Sequence, residues 1–258
     1  MRDAVVAAAV FLHAHACDPI RLGDVADHVG YSPFHLTRAF TREIGTSPAR
    51  ALAAHRFHRA KRLLLDGDDR IADICHAVGF SSVGTFTTRF AEAVGTSPTE
   101  FRRLPHDLAD APPIPASTPG AVRGGAVVAG SVRIGSSAAV ALGTGPLVFV
   151  GLYPARSARG QPAVGAMLTG AGDFLLTDAP PGAFWVLATA LSTRRDYDGL
   201  LVPGESVIGA SPIVLHLRPG EQHVCDLPLE LVERWRPPVL AALPAMASEI
   251  AQDWRRRA

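Results

Sequence analysis

Apolar positions recur at helical spacing through the first hundred residues and at alternating spacing from Ala126 onward. Asp3 to His15 reads as an Ala-rich helix with Val6, Val10 and Leu12 inward and Asp3 where the helix dipole favours an acid. After Asp18-Pro19, Arg21 to His28 is a short helix with Leu22, Val25, Ala26 and Val29 facing inward, stopped by Gly30. Ser32-Pro33 supplies the N-cap and first position of the next helix. Its Leu36, Phe40 and Ile44 fall at i, i+4 and i+8, leaving His35, Arg38 and Arg42 on other faces. Gly45 ends it, and Ser47-Pro48 opens a long helix to Leu65 with Leu52, Phe57, Leu63 and Leu64 as apolar positions. Ile71 to Val78 and Ser82 to Val94 form another short–long pair, and Ser97-Pro98 caps a last helix closing near Arg103.

The two pairs are copies of one unit. Leu22, Asp24, Val25, Val29 and Gly30 align with Ile71, Asp73, Ile74, Val78 and Gly79 at one constant offset, and Gly-Thr-Ser-Pro closes each copy, at Gly45 to Pro48 and Gly95 to Pro98. From Phe40 and Phe90 onward the second copy is one residue longer, the difference falling after the Gly-aromatic-Ser corner. A short helix, a Gly-containing turn and a second helix with a polar outward face make a helix-turn-helix.

Pro105 to Gly120 carries Pro105, Pro112, Pro113, Pro115 and Pro119 among small residues and reads as a semi-extended tether. The expected organisation is therefore 1–104 helical, 105–120 linker, 121–232 β-domain and 233–258 C-terminal amphipathic helix. Strands are expected at Ala126 to Ile134, Leu147 to Tyr153, Val164 to Thr169, Asp173 to Thr177, Ala183 to Leu191, Ser206 to Gly209, Pro212 to Leu217 and His223 to Leu229. Many short strands between Gly, Pro and Asp turns predict an antiparallel β-sandwich. Pro237 to Trp254 places Leu240, Leu243, Met246, Ile250 and Trp254 on one helix face, which must cover its own sandwich, the helical domain or a second subunit.

Charge adds something only through its distribution. The chain of 258 residues has a formal net charge of +1. From Tyr31 to Arg62, however, Arg38, Arg42, Arg50, Arg56, Arg59, Lys61 and Arg62 face the single acid Glu43, an excess that suits a nucleic-acid partner. Cys17, Cys75 and Cys225 are scattered and give no disulfide framework, pointing to a reducing, cytoplasmic setting. Asp3 and the shortness of Ala4 to Leu12 argue against a secretory leader, and no run is long enough to span a membrane.

Gly-x-Ser-Pro-x-His-Leu-x-Arg-x-Phe (Gly30 to Phe40), Gly-Thr-Ser-Pro (Gly45 to Pro48), Arg-Phe-x-x-Ala-Lys-Arg-Leu-Leu (Arg56 to Leu64), Val-Gly-Phe-Ser (Val78 to Ser81), and the run Phe86 to Arg102 occur in an order that resembles the DNA-binding domain of the AraC/XylS family of transcription regulators. The resemblance covers residues 5–104. It implies a seven-helix domain with two helix-turn-helix units joined by a long central helix, in a bacterial, sequence-specific DNA-binding regulator. Two departures stand out: Gly84-Thr85-Phe86-Thr87-Thr88 replaces the usual Ser-Tyr-Phe-Ser-Arg, and this domain comes first where most family members carry it last. Gly172 to Ala188 resembles the hairpin of carboxypeptidase regulatory-like, transthyretin-like β-domains, with Leu147 to Tyr153 in the place of their display strand, implying an accessory module without catalysis.

Base reading in the major groove needs side chains with paired donors or acceptors, arginine to guanine above all. The resemblance and the polar face together give His35 and Arg38 as base readers in the first unit, with Thr37 and Arg42 beside them on phosphate; Ser82, Val83, Thr85 and Arg89 are the candidates in the second. Arg56 and Lys61 on the connecting helix are divided between base reading and a structural or phosphate-bound role. No phosphate loop, Ser/His/Asp order or carboxylate pair is present, so no catalytic residue, metal or cofactor is expected. A Cys-based DNA-repair chemistry would have to use Cys225, and His216, His223 and Cys225 are the one candidate metal group. The expected fold is thus an all-α double helix-turn-helix domain followed by an antiparallel β-sandwich with a C-terminal helix, in a protein that is not an enzyme. Double-stranded DNA is the expected partner. The β-domain is left between an effector-binding sensor and a protein-interaction or homodimerisation module, for which Trp185, Tyr153, Arg156 and Arg159 would suit either a pocket rim or an interface.

Overall fold

The Ser-Pro caps and left-handed glycines of the sequence set the frame of the N-terminal half in the computed structural model, which describes residues 1–110, 123–193 and 200–241. Seven helices follow in order: α1 (Arg2–Ala14), α2 (Leu22–His28), α3 (Pro33–Ile44), α4 (Pro48–Asp66), α5 (Ile71–Ala77), α6 (Val83–Val94) and α7 (Pro98–Asp110). Ser32 Oγ accepts from the His35 N–H and Ser47 Oγ from the Arg50 N–H, each preceding a proline at the first helical position. α3 and α6 both end on a left-handed glycine, Gly45 at φ 86° and Gly95 at φ 92°. Both helices are 12 residues long. Since Ser32 caps α3 and Ser82 caps α6, the extra residue of the second copy sits in the turn before Ser82, not in the helix.

Two assignments move. α1 buries Val5, Ala8, Ala9 and Leu12, while Val10 is 44% exposed and Val6 half-buried. The alanines allow close approach, and 5, 8, 9 and 12 are one i, i+3, i+4, i+7 face. α7 does not stop near Arg103 but runs through Pro105 to Asp110. At its start a full capping box forms: Glu100 Oε2 accepts from the Ser97 N–H at 2.9 Å and its hydroxyl at 2.7 Å, and Ser97 Oγ accepts the Glu100 N–H at 3.3 Å.

Two apolar centres hold the helices. One joins Val5, Leu12, Val25, Leu36 and Phe40. The other is aromatic: Phe57 stacks on Phe80 with centroids 5.2 Å apart and meets Phe86 and Phe90, and Phe90 meets Phe101 edge-on at 5.8 Å.

The second half is a mixed β-sheet domain. Its strands are β1 (Ala126–Ile134), β2 (Leu147–Tyr153), β3 (Gly165–Thr169), β4 (Gly172–Ala179), β5 (Gly182–Leu191), β6 (Ser206–Ala210), β7 (Leu215–Leu217), β8 (Gln222–Val224) and β9 (Leu227–Val232), with one helix, α8 (Ser136–Leu142), after β1. The hydrogen-bonded order is β3-β2-β5-β6-β9-β1-β4. Its two ends are consecutive in the chain across Gly170-Ala171, so the sheet curls back on itself in a barrel-like way. Val128, Val132, Val150, Leu152, Phe174, Leu176, Val186 and Leu229 are among the residues that fill it.

The purely antiparallel sandwich is therefore corrected. β1 pairs in parallel with both β8 and β9. The expected single strand His223 to Leu229 is broken at Cys225-Asp226, where the Asp226 carboxylate accepts the Ser131 N–H at 2.9 Å and its hydroxyl at 2.8 Å. Gly130 is required opposite the break, because a Cβ there would run into the Cys225 carbonyl. Nor are β4 and β5 a hairpin: β4 pairs with β1, whereas β5 pairs with β2, β6 and β7. Residues 233–241 have no regular helix, and 242–258, where most of the expected C-terminal helix falls, lie outside the described residues. So does most of the Pro-rich stretch.

The chain divides into two units, Met1–Arg102 with Glu233–Leu240, and Arg103–Val232 with Ala241–Ala258. A segment downstream of the last strand thus belongs to the helical unit.

Candidate nucleic-acid interface

α3 has one face in the core, through Leu36, Ala39 and Phe40, and the opposite face in water. That outer face carries Phe34, His35, Arg38, Thr41 and Arg42, all exposed, with Thr37 at its edge. Ser32 Oγ accepts the His35 backbone N–H and stands 3.1 Å from His35 Nδ1, a contact that holds the ring against the start of α3. Arg38 is free to extend. Arg42 lies 3.5 Å from Glu43 in an exposed pair of little strength.

α6 repeats the design with a poorer set of side chains. Phe86, Phe90, Ala93 and Val94 are buried, and Ser82, Val83, Thr85, Thr88 and Arg89 are exposed. Ser82 is partly committed, since its Oγ accepts the Thr85 N–H at 3.3 Å. With the caps aligned, Arg38 corresponds to Thr88 and Arg42 to Glu92, so α6 loses two of the cations that α3 displays.

Phe34 was missed by the sequence reading. It is 70% exposed at the N-terminal end of α3, edge-on to the His35 ring at 5.8 Å. The available signal was that Phe34 falls outside the i, i+4, i+8 core set.

The basic excess shrinks in three dimensions. Arg38, Arg42, Arg50, Arg59 and Arg62 are exposed, but Arg56 and Lys61 are turned inward. Arg56 donates from Nε to the Ala16 carbonyl at 2.7 Å and from Nη2 to the Asp18 carbonyl at 2.9 Å. These bonds occupy it within the protein. Arg102 is used likewise, donating to the carbonyls of Leu64 and Asp69 ahead of α5.

Lys61 is fully buried, its Nζ donating to the Leu240 carbonyl at 3.1 Å and lying 5.3 Å from the Phe101 ring centre. Burial pushes its pKa down from 10.5 to about 7. On the same helix the His55 ring reaches the Trp235 carbonyl from Nε2 at 3.2 Å and His13 from Nδ1 at 3.4 Å. Burial, then the neighbouring His13, lowers its pKa to about 4. His58 Nδ1 is buried with no hydrogen-bond partner among the described residues, and burial together with Lys61, Arg62, His55 and His13 lowers its pKa to about 3. Trp235 also packs against the α1–α3 apolar centre.

In the β-domain, Tyr153 is buried, and Trp185 lies beside it in register with the Arg156 guanidinium 5.5 Å over its ring, while Arg159 is exposed. A pocket of about 30 Å³ is lined by Leu142, Ala190, Ser192, Glu205 and Val207. That is room for a water, far below a usual ligand site of roughly 300–1,000 Å³. Cys225 is buried, and burial followed by Asp226 raises its thiol pKa, the opposite of what a nucleophile needs. His216, His223 and Cys225 do not gather, and no metal-holding cluster occurs among the described residues. No helix there is long and apolar enough to cross a membrane.

Residues 25–104 match the family described as a helix-turn-helix domain. An HTH-type transcriptional regulator of Mycobacterium tuberculosis is 34% identical over 83 residues, covering 32% of this chain and 32% of its own. The probable thc operon regulatory protein of Rhodococcus erythropolis is 35% identical over 96 residues, 36% of this chain and 29% of its own. The xylose operon regulatory protein of Escherichia coli K12 is 31% identical over 99 residues, covering 38% and 25%. A solved regulator from Chromobacterium violaceum with an AraC-type DNA-binding domain is 30% identical, spans 39% of this chain and 90% of that one, and has a TM-score of 0.37. The chain spans about a third of the length of the curated relatives it matches. Over that stretch the chain is similar to helix-turn-helix transcription regulators. These curated relatives are regulatory proteins of transcription or of operons.

Proposed function

We propose that the protein is a sequence-specific, cytoplasmic transcription regulator that binds double-stranded DNA through two helix-turn-helix units, α2–α3 and α5–α6. The observation that carries this reading is the outer face of α3: exposed Phe34, His35, Arg38 and Arg42 on a helix whose other face is core, repeated in α6 with Ser82, Val83, Thr85, Thr88 and Arg89. A single chain would read two successive major-groove segments about 34 Å apart. Arg38 and His35 are donors for guanine acceptors, and Phe34 and Val83 offer apolar contact to thymine methyls. Thr37 and Arg42 act on phosphate, and α6, poorer in cations, reads the less stringent segment. Arg56 is left out of the contact set because its guanidinium is already bound to Ala16 and Asp18.

Selection of bound duplexes from a random pool by the full chain tests this. Enrichment of two segments one helical turn apart supports it; enrichment of no sequence at low salt overturns it. For the β-domain we favour a protein-interaction or homodimerisation module over an effector sensor, because the exposed Arg156 stacked on Trp185 is a pairing that protein interfaces favour. A concentration-dependent shift in mass by sedimentation, without any thermal shift across a small-molecule panel, would bear that out.

A further inference from the structure

Arg56 sits in the middle of α4, and its guanidinium touches parts of both helix pairs. Two of its nitrogens hold the Ala16 and Asp18 carbonyls in the connection that leads into α2. The same planar group lies 5.7 Å from the centre of the Phe80 ring, in the turn between α5 and α6. Gly79 in that turn has φ +85°, and a Cβ on it would stand 3.0 Å from Arg56 Cζ and 3.0 Å from the Cys17 carbonyl oxygen. One cation is therefore wedged between the approach to the first pair and the turn of the second, where a side chain at Gly79 would press on it. Arg102 makes the simpler arrangement, tying α7 to the connection that leads into α5.

The chemistry explains the choice of residue. Two diverging carbonyl bonds and a ring contact need a planar fork whose edges donate and whose face stacks, and a lysine ammonium supplies neither shape. α4 runs unbroken between the pairs, and the second turn seats on it through Phe57 stacked on Phe80, while Arg56 also bonds the connection into α2.

Resting on the two-segment reading above, we propose that Arg56 is a positioning residue that sets the phase between the two DNA-reading helices, and so the spacing of the two segments the chain accepts, without contacting DNA. An added base pair turns the second segment by about one-tenth of a helical turn. A rigid pair of readers rejects that change, while a loosened pair follows it.

The experiment uses the full chain and the duplex that wild type selects, together with the same duplex lengthened by one base pair between segments and a version with the second segment scrambled. Arg56→Lys is expected to bind the scrambled duplex within about twofold of wild type, lose roughly tenfold on the intact one, and show a spacing penalty cut from about tenfold or more to under about threefold. Phe80→Leu keeps the carbonyl bonds and removes the ring; it should relax spacing in the same direction by less, and it carries the test if Arg56→Lys proves unfolded by circular dichroism. Equal losses on all three duplexes, or an undiminished spacing penalty in both folded variants, overturn the proposal. Wild type that selects no two-segment duplex removes the two-segment reading and this proposal together, whereas wild type that selects one and a variant that keeps its strict spacing removes only this.

Discussion

Replacing Lys61 by Met should make the helical unit more stable at neutral pH, although it deletes a hydrogen bond. Lys61 is 0% exposed, and burial holds its pKa at about 7 against 10.5 in water. Between those two values the folded chain binds fewer protons than the unfolded one, so stability rises with pH there; it is complete above about 10.5 and lost as pH falls to about 7. At pH 7 the gap amounts to roughly 4 kcal/mol of destabilisation relative to an uncharged side chain. Met is similar in length and has no charge to desolvate, but it leaves the Leu240 carbonyl without its donor, at about 1–3 kcal/mol. The net expectation is a gain of roughly 1–3 kcal/mol at pH 7 that fades by about pH 10, since there the wild-type amine is neutral in the folded state and about a quarter neutral in the unfolded one, leaving a penalty of under about 1 kcal/mol. Urea unfolding followed by helical circular dichroism at pH 7, 8.5 and 10 measures it. Flat wild-type stability over that range, with Lys61→Met losing more than about 2 kcal/mol at pH 7, would refute the reasoning and show that the Leu240 bond outweighs the desolvation of the ammonium.

His58 is held neutral by burial, with its pKa lowered to about 3, so its share of stability is present above about pH 6.5 and lost as pH falls toward 3. His58→Leu should flatten that acid limb and gain roughly 1–3 kcal/mol by removing a partnerless buried nitrogen, as acid titration of the thermal midpoint would show. Gly30 and Gly79 occupy equivalent turns at φ +69° and +85°, but only Gly79 is crowded. Gly30→Ala should therefore cost about 1 kcal/mol and Gly79→Ala about 2–3 kcal/mol in denaturant melts, and equal losses would mean the Arg56 contact is loose. In binding titrations over single-base variants, Arg38→Ala should cost about 1–3 kcal/mol at one position, while Arg42→Ala weakens all sequences alike and lowers the salt slope by about 1.

The helical half was legible because its signals are local. Ser32-Pro33, Ser47-Pro48, Gly45 and Gly95 each fix a helix end within a few residues, and the duplication tests every assignment twice. β1 and β2 were legible for the same reason, each being an apolar run bounded by turn residues. What escaped depends on partners far along the chain. The parallel pairing of β1 with β8 and β9 follows from which strand arrives beside it, and alternation along a strand is blind to that. The separation of β4 from β5 is of the same kind, since Pro180-Pro181 signals a reversal without saying that the strands join different neighbours. In the candidate interface, Arg38 and Arg42 could be placed on an outward face from periodicity alone. Arg56 and Lys61 could not, because an arginine or lysine on a helix is equally at home on solvent, phosphate or a carbonyl until the connecting loops are in place.

That last difference bears on how this region meets a polyanion. Three cations of the helical unit, Arg56, Lys61 and Arg102, end on backbone carbonyls: those of Ala16 and Asp18, of Leu240, and of Leu64 and Asp69. A carbonyl in an irregular connection must find a donor or stay hydrated, and a long cationic side chain can supply that donor from a helix several residues away. The loops ahead of α2 and α5 are thereby tied to α4 and α7. On the DNA-binding reading proposed above, the exposed Arg38, Arg42, Arg50, Arg59 and Arg62 of α3 and α4 are the cations that would draw phosphate, where α6 offers Arg89 and the opposing Glu92. On that reading α3 displays more cations than α6, and the selectivity proposed for the second segment leans on the hydroxyl and methyl contacts of Ser82, Val83 and Thr85 together with Arg89. Short-range contacts of that kind need α6 in register, so on the proposed reading the rigidity of the α4 core matters more to the second segment than to the first.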